Sequence, residues 1–126
     1  MEEVIRKLKF RGVATVLNGP ENLAADFEKI GCNYSMTPGV KCSNLLVFIR
    51  DKSAFEGFLN TDLAKVEYDT VLWFAYPKGT SGVKTDVNRD ILWAIARQNN
   101  LDAVGAVAID NVWSAIRLRP IERVGK

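Results

Sequence analysis

The stretch VLWFAYPKGTSGVKTD, residues 71–86, decides the fold. Its first six residues are all apolar, and a short continuous apolar run is typical of a strand covered on both faces, as in the centre of a parallel sheet. Pro77-Lys78 then ends the run, and a polar loop with two glycines leads into a helical pattern. Strand, loop and helix in this order predict an α/β domain. Such domains bind ligands at the carboxyl ends of their strands, where this loop would lie.

Other segments on both sides of this stretch also have the composition of strands. Residues 45–49 are equally apolar, so we expect them beside residues 71–76 at the centre of the sheet. A β-branched run at residues 13–17 predicts the first strand. Residues 32–36 are a further candidate, but Asn33, Ser35 and the Thr37-Pro38-Gly39 turn leave that strand open. Residues 103–109 and 112–118 predict two last strands, which only Asp110-Asn111 connects, so they should form an antiparallel hairpin.

Helical spacing of apolar residues fills the intervals between the strands. It predicts helices over residues 2–9, from Pro20 to Ile30, and from Ser53 to about Leu63. Ser53 and Glu56 resemble a capping box at the start of the third helix. Thr85 or Asp86 could cap a fourth helix that ends near residues 97–100. We therefore predict one domain over residues 1–126: a Rossmann-like three-layer α/β sandwich with a mostly parallel sheet and a C-terminal antiparallel hairpin.

The amino-acid composition argues against several classes of function. The chain is 48% hydrophobic and 25% charged, a globular balance, and its apolar runs are too short to cross a bilayer. With an acidic start unlike a signal peptide, this predicts a cytoplasmic protein without a membrane partner. A net charge of +2 argues against nucleic acid, and the basic residues 117–126 are typical of a solvated tail. The chain has no histidine, which excludes histidine-dependent triads and removes the commonest metal ligand.

The richest candidate site is the loop after residues 71–76. Its glycines permit close backbone approach and its polar side chains supply donors for an anion; we include Asn18, Arg50 and Trp113 from neighbouring segment ends. The predicted ligand-binding residues are thus Asn18, Arg50, Lys78, Gly79, Thr80, Ser81, Gly82, Lys84, Thr85 and Trp113. The loop departs from a P-loop, because Val83 and Lys78 stand where that motif requires glycine. The plainer interpretation is a solvated connection whose Thr85 or Asp86 only caps a helix.

Standard cofactor chemistry is not indicated. The turn Asn18-Gly19-Pro20 lacks the G-x-G-x-x-G fingerprint, and Glu21 puts a carboxylate where a phosphate would bind. Trp113 could line the mouth of a crevice, although an aromatic residue at the start of an edge strand more often serves packing. Trp73 and Trp93 are expected in the core. The sequence identifies no catalytic set, no metal site and no cofactor.

Three motifs carry a resemblance to a known family. They are W-x-A-x-P-K at residues 73–78, S-G-V-K-T-D at residues 81–86 and W-S-x-x-R at residues 113–117. They resemble the markers of a bacterial family known as a domain of unknown function, and residues 13–22 are similar to its first strand and N-x-P-E turn. The resemblance implies a small Rossmann-like domain and no particular reaction. Where that family often has an acidic residue before the W-S pair, this chain has Asn111-Val112.

Three hypotheses from different classes follow. The first is a domain that binds a small molecule or anion through the loop of residues 78–86. The second is a protein-interaction or homo-oligomerisation module that uses an exposed sheet edge, such as the final strand. The third is an enzyme that uses Lys78 as acid or base, which would require burial to lower its pKa.

Overall fold

Strands and helices alternate along the chain before a final pair of strands. The computed structural model describes all residues, 1–126. Its helices are α1 (Glu2–Leu8), α2 (Ala24–Lys29), α3 (Lys52–Gly57) and α4 (Arg89–Gln98). Its strands are β1 (Thr15–Leu17), β2 (Leu45–Phe48), β3 (Leu72–Pro77), β4 (Leu101–Ala108) and β5 (Trp113–Pro120). None of the helices has the length and apolar character that crossing a bilayer requires.

The five strands form one mixed sheet in the order β1-β2-β3-β5-β4. β1 with β2 and β2 with β3 are parallel, whereas β3 with β5 and β5 with β4 are antiparallel. The α/β class, the adjacent apolar strands and the C-terminal hairpin are confirmed. The expectation of a mostly parallel sheet is wrong, since the hairpin inserts β5 beside β3 and leaves β4 at the edge. Both pairings of β5 are therefore antiparallel.

The candidate strand at residues 32–36 does not form. Only Asn33 pairs with the sheet, in an isolated parallel bridge to Thr15. The backbone N–H of Val16 donates to the Asn33 carbonyl at 2.8 Å, and that of Asn33 donates to the Ala14 carbonyl at 2.9 Å. The flanking residues are mostly polar and exposed, so no buried face extends the pairing.

Alternate residues of the central strands face two separate hydrophobic clusters, as the two-residue period of a strand requires. One cluster combines Leu45, Val47 and Phe74 with residues of α3 and α4, including Phe55 and Leu92. The other combines Leu46, Phe48 and Trp73 with residues of α1 and α2, including Leu8 and Phe27. Both faces of the central strands are therefore buried, which explains why residues 45–49 and 71–76 are apolar throughout.

Two helices begin at residues other than the predicted caps. The Asp51 carboxylate, not the Ser53 hydroxyl, caps α3 by accepting from the Ala54 backbone N–H at 2.8 Å. The Asn88 side chain caps α4 by accepting from the Ile91 N–H at 2.9 Å. Both cap residues have the extended backbone that a cap position requires. After Gly57 the third helical segment continues as a π-helical turn, Phe58–Asp62, and a 3-10 turn, Leu63–Lys65.

The predicted core tryptophans differ in burial. Trp73 is buried, and its indole N–H donates to the Leu8 carbonyl at 2.8 Å. Trp93 is 43% exposed and donates instead to the Asp102 carboxylate at 2.6 Å, so its expected place in the core is wrong. The inward stripe of α4 is Leu92, Ile95 and Ala96. Trp93 follows Leu92 directly and so lies about 100° around the helix from it.

Candidate functional site

Four chain segments meet at one edge of the sheet. Asn18 follows β1, Arg50 lies two residues beyond β2, and Lys78 follows β3. Because these three strands are parallel, their carboxyl ends lie at the same edge. β5 runs in the opposite direction, and its first residue, Trp113, pairs with Pro77 at the end of β3. The sheet thus places the four predicted segments together.

Arg50 is the centre of the contacts between these segments. Its guanidinium carbon lies 5.4 Å from the centroid of the Trp113 ring, within the range of a cation–π contact. The Arg50 Nη1 donates to the Asn18 carbonyl at 3.0 Å. The backbone carbonyl of Arg50 accepts from the Thr85 hydroxyl at 2.7 Å. Arg50 is nevertheless exposed, so its charge is oriented by the protein and still open to a ligand.

Trp113 provides the rigid support for this arginine. Its side chain is 6% exposed, and its ring packs edge-to-face on Phe48 at 4.9 Å between centroids. The burial of Trp113 agrees with its interpretation as a packing residue. The strand that it begins, β5, is an interior strand and not the expected edge strand. Asn18 adopts a left-handed backbone, φ 60°, which asparagine tolerates better than most residues.

The loop of residues 78–86 is fixed at both ends and exposed between them. At its start, the Lys78 N–H donates to the Val112 carbonyl at 2.7 Å. At its end, the Asp86 carboxylate accepts from the Lys52 N–H at 2.7 Å. Thr85 and Asp86 therefore connect the loop to Arg50 and to the first residue of α3, and neither caps α4. The plainer interpretation of these two residues as helix caps is wrong.

Within the loop, a serine holds the turn. The Ser81 hydroxyl donates to the Lys78 carbonyl at 2.7 Å and accepts from the Val83 N–H at 3.2 Å. Gly82 has φ 80°, a left-handed conformation that explains a glycine at this position. The remaining predicted residues, Gly79, Thr80 and Lys84, are exposed. The structure thus brings Asn18, Arg50, Thr85 and Trp113 into one network and displays the rest of the loop beside it.

At this edge the carboxylates have hydrogen-bond partners, whereas the cationic side chains form no ion pairs. Arg50, Lys78 and Lys84 take part in none of the six ion pairs of the protein. The carboxylates of Asp51 and Asp86 in the same segments already accept backbone N–H groups, of Ala54 and Lys52 respectively. Three cationic side chains at this edge therefore have no carboxylate partner within the protein.

A cavity of about 240 Å³ adjoins this edge between the end of β1 and α2. It is lined by Val16, Asn18, Pro20, Phe27 and Tyr34 among others. Asn18 links it to Arg50, since its carbonyl is the acceptor for that guanidinium. The loop of residues 78–86 lines none of the five principal cavities and presents its donors on the open surface.

The sequence did not reveal a second concave region at the opposite edge of the sheet. A cavity of about 420 Å³ lies there, with Leu72, Leu101 and Leu118 among its lining residues and Glu67, Asp69 and Glu122 as carboxylates. Asp69 receives two hydrogen bonds from Arg119, at 2.8 and 2.9 Å, and one from Arg123 at 3.2 Å. These two arginines are fixed in a network with Asp69, contrary to the expectation of a solvated tail.

The polar groups of this second cavity are largely satisfied by one another. Hydrogen bonding from Arg119 lowers the pKa of Asp69 to about 2. The Tyr68 hydroxyl donates to the Glu122 carboxylate at 2.6 Å, which raises the pKa of Tyr68 and lowers that of Glu122. Asp69, Tyr68 and Glu122 thus have partners within the protein, whereas the Glu67 side chain, which also lines the cavity, forms no ion pair. No group of three or more Asp, Glu or Cys side chains lies close enough to hold a metal ion.

No protein-family model matches the chain, and no curated protein matches it. The resemblance carried by residues 73–78, 81–86 and 113–117 therefore stays a prediction. In the structure, those three motifs supply β3, the loop that follows it and the start of β5. They converge at the carboxyl edge, together with Arg50 and Asn18.

Proposed function

We propose that this protein binds a small molecule bearing an anionic group at the carboxyl edge of its parallel strands. We place it among Rossmann-like domains of the resembled bacterial family, without an assigned reaction, in the cytoplasm. The proposed contacts are those of the predicted site, with Arg50 and the loop of residues 78–86 holding the anionic group. The two unpaired cysteines, Cys32 and Cys42, support a reducing compartment.

The observation that carries the proposal is the placement of Arg50. An exposed arginine side chain usually samples many rotamers, and ordering it costs conformational entropy. Here the Trp113 ring and the Asn18 carbonyl restrict the guanidinium before any ligand arrives. A cation that is already oriented and lacks a carboxylate partner binds an anion with a smaller entropic loss.

The other residues of the proposed site would contribute positive charge, a hydroxyl donor and backbone N–H groups. Lys78 and Lys84 add positive charge on a loop whose ends are tied to β5 and to the start of α3. The exposed Thr80 supplies a hydroxyl donor, whereas the Ser81 hydroxyl is already used to hold the turn. Gly79 and Gly82 allow backbone N–H groups to approach the ligand closely. The cavity beside Asn18, at about 240 Å³, would hold a small uncharged part of the same molecule.

A thermal-shift screen against phosphorylated, sulfated and carboxylated small molecules tests this proposal. A ligand that binds only the folded protein raises its melting temperature. We expect at least one such compound to act on the wild type and to lose its effect in the double variant Lys78→Ala, Lys84→Ala. The matched control is Lys29→Ala, Lys126→Ala, which removes the same charge from two other exposed positions. An unchanged response in the loop variant would refute the proposed site.

The alternative, an interaction or homo-oligomerisation module, draws support from a different feature. The free edge of the sheet is β4, not the final strand as expected, because β5 lies between β3 and β4. Val104, Gly105 and Ala106 are exposed along it, and within β4 only Asp102 is charged. Edge strands with few charges invite pairing with a second chain. Sedimentation that detects a dimer, and its loss in Ala106→Lys, would favour this alternative.

A further inference from the structure

One half-buried arginine has a buried Nε atom without a hydrogen-bond partner. Arg117 lies on β5, and its Nε atom is buried without a hydrogen-bond acceptor, the only buried side-chain nitrogen or oxygen in this situation. Arg117 also takes part in none of the six ion pairs. Buried polar groups almost always have partners, so an orphaned one requires an explanation. The residue as a whole is only half-buried, so an acceptor from outside can reach the accessible part of its side chain.

The surroundings of Arg117 add to its charge. Burial, followed by the nearby cations Arg119 and Arg11, lowers its pKa, and only Asp69 acts in the other direction. Asp69 is itself occupied by Arg119 and Arg123. The positive field of the neighbouring arginines at this guanidinium is therefore offset only in part, by Asp69.

The side chain of Arg117 lines a groove of about 280 Å³ between β4 and the end of α1. Lys7 and Lys9 line the same groove, and no acidic residue does. Lys7 forms one ion pair, with Glu3 at 3.5 Å, but both side chains are more than half exposed and such pairs are weak. Three cations thus converge on one concave surface.

The strand next to Arg117 is shaped to keep this groove open. Gly105 pairs with Arg117 across the two strands, and the ladder shifts register between Ala103 and Gly105. A β-carbon at Gly105 would meet the Trp73 ring at 3.6 Å and the Arg117 β-carbon at 3.9 Å. A side chain larger than that of alanine would therefore crowd the groove floor. Local register shifts of this kind are common beside functional sites.

We infer that this groove is a second binding site, for a small phosphate monoester. Two ammonium groups and a guanidinium fork match the double negative charge and the several acceptor oxygens of a phosphoryl group. A volume of about 280 Å³ suits a small molecule, whose apolar part would rest on Val104 and the Trp73 ring. This site is separate from the carboxyl edge and shares no residue with it.

A titration with phenyl phosphate, followed by residue-resolved NMR, tests the inference. We expect saturable shifts of the Arg117 Nε–H and the Gly105 N–H resonances, with weaker binding at high salt. Phenol, the uncharged counterpart, should produce neither. The variant Arg117→Met should weaken the binding at this groove by about 10- to 100-fold, the loss expected for a hydrogen bond to a charged group. The matched control, Arg123→Met, removes an arginine outside the groove and should leave the shifts unchanged.

Stability measurements separate a binding role from a structural one. Removal of a structural arginine destabilises the protein, whereas replacing an arginine that has no ion-pair partner leaves no uncompensated charge behind. We therefore expect Arg117→Met to melt no lower than the wild type in phosphate-free buffer. A lower melting temperature, an absence of saturable shifts in the wild type, or undiminished binding by Arg117→Met would each overturn the inference. A response that persists in Lys78→Ala, Lys84→Ala and disappears in Arg117→Met belongs to this groove alone.

Discussion

Asp69, which precedes β3, connects this part of the chain to two arginines near the C-terminus. It has a left-handed backbone, φ 56°, and its carboxylate accepts hydrogen bonds from Arg119 and Arg123. The bidentate geometry with Arg119 is the strong form of such a pair. Asp69 and Arg119 are both largely buried, at 16% and 18% side-chain exposure, so solvent screens this pair less than it screens the exposed ion pairs.

The stability of the protein should therefore depend on pH through Asp69. Its pKa in the folded protein is about 2, below its ordinary value of 3.8. A depressed carboxyl pKa stabilises the fold above the unfolded pKa, and this contribution is lost as pH falls from about 4 towards 2. We expect Asp69→Asn, which keeps a residue tolerant of positive φ, to lower the free energy of unfolding at pH 7 by about 1 to 2 kcal/mol.

Urea unfolding of the wild type and Asp69→Asn at pH 7 and pH 2.5 measures this dependence. The difference between the two proteins should shrink at the lower pH, because Asp69 is then protonated in the unfolded chain and folding has to release that proton. Asp90→Asn is the control, since Asp90 is 80% exposed and its contact with Arg89 is 3.7 Å long. A difference that stays constant with pH would show that Asp69 acts through packing instead of charge.

The start of α3 couples the loop of residues 78–86 to the sheet. Asp51 caps the helix, the neighbouring Lys52 N–H donates to Asp86, and Arg50 immediately before them contacts Trp113. One turn of chain thus fixes the helix, the loop and the proposed anion-binding arginine. The local sequence favoured Ser53 as the cap, and only the extended backbone at Asp51 distinguishes the two.

Replacement of the two candidate caps distinguishes them in experiment. Asp51→Ala should cost about 1 kcal/mol of stability, the usual loss for a helix cap, because the Ala54 N–H loses its acceptor. Ser53→Ala should change stability by less than about 0.5 kcal/mol, since Ser53 is exposed and makes no cap contact. Thermal unfolding of both variants provides the comparison. A larger loss for Ser53→Ala would mean that the capping box exists after all.

The molecule as a whole shows which features a sequence carries and which it does not. The apolar runs identified β2 and β3, and the two-residue connection identified the hairpin, because burial and short turns act locally. The order of strands is not local: residues 32–36 had too little apolar surface to pair, and nothing in the chain indicates that β5 enters beside β3. That insertion gives β3 an antiparallel neighbour in place of a parallel one and leaves β4 at the edge.

The candidate site was likewise predictable from the sequence only in part. The convergence of Asn18, Arg50 and the loop of residues 78–86 follows from parallel strands, whose carboxyl ends share an edge. The contact between Arg50 and Trp113 requires the antiparallel insertion of β5, so sequence reasoning could place both residues near the site but not in contact. The groove at Arg117 could not be predicted, because it is formed together by β4, β5, Trp73 and the end of α1.

The most direct test of the central proposal is a residue-resolved NMR titration of the wild-type protein with inorganic phosphate. Binding at the carboxyl edge predicts saturable shifts of the backbone amides of residues 79–84 and of the Arg50 Nε–H, all weakened in Lys78→Ala, Lys84→Ala. Shifts confined to the groove at Arg117 would contradict an anion site at this edge, as would an absence of saturable change in residues 79–84 and Arg50.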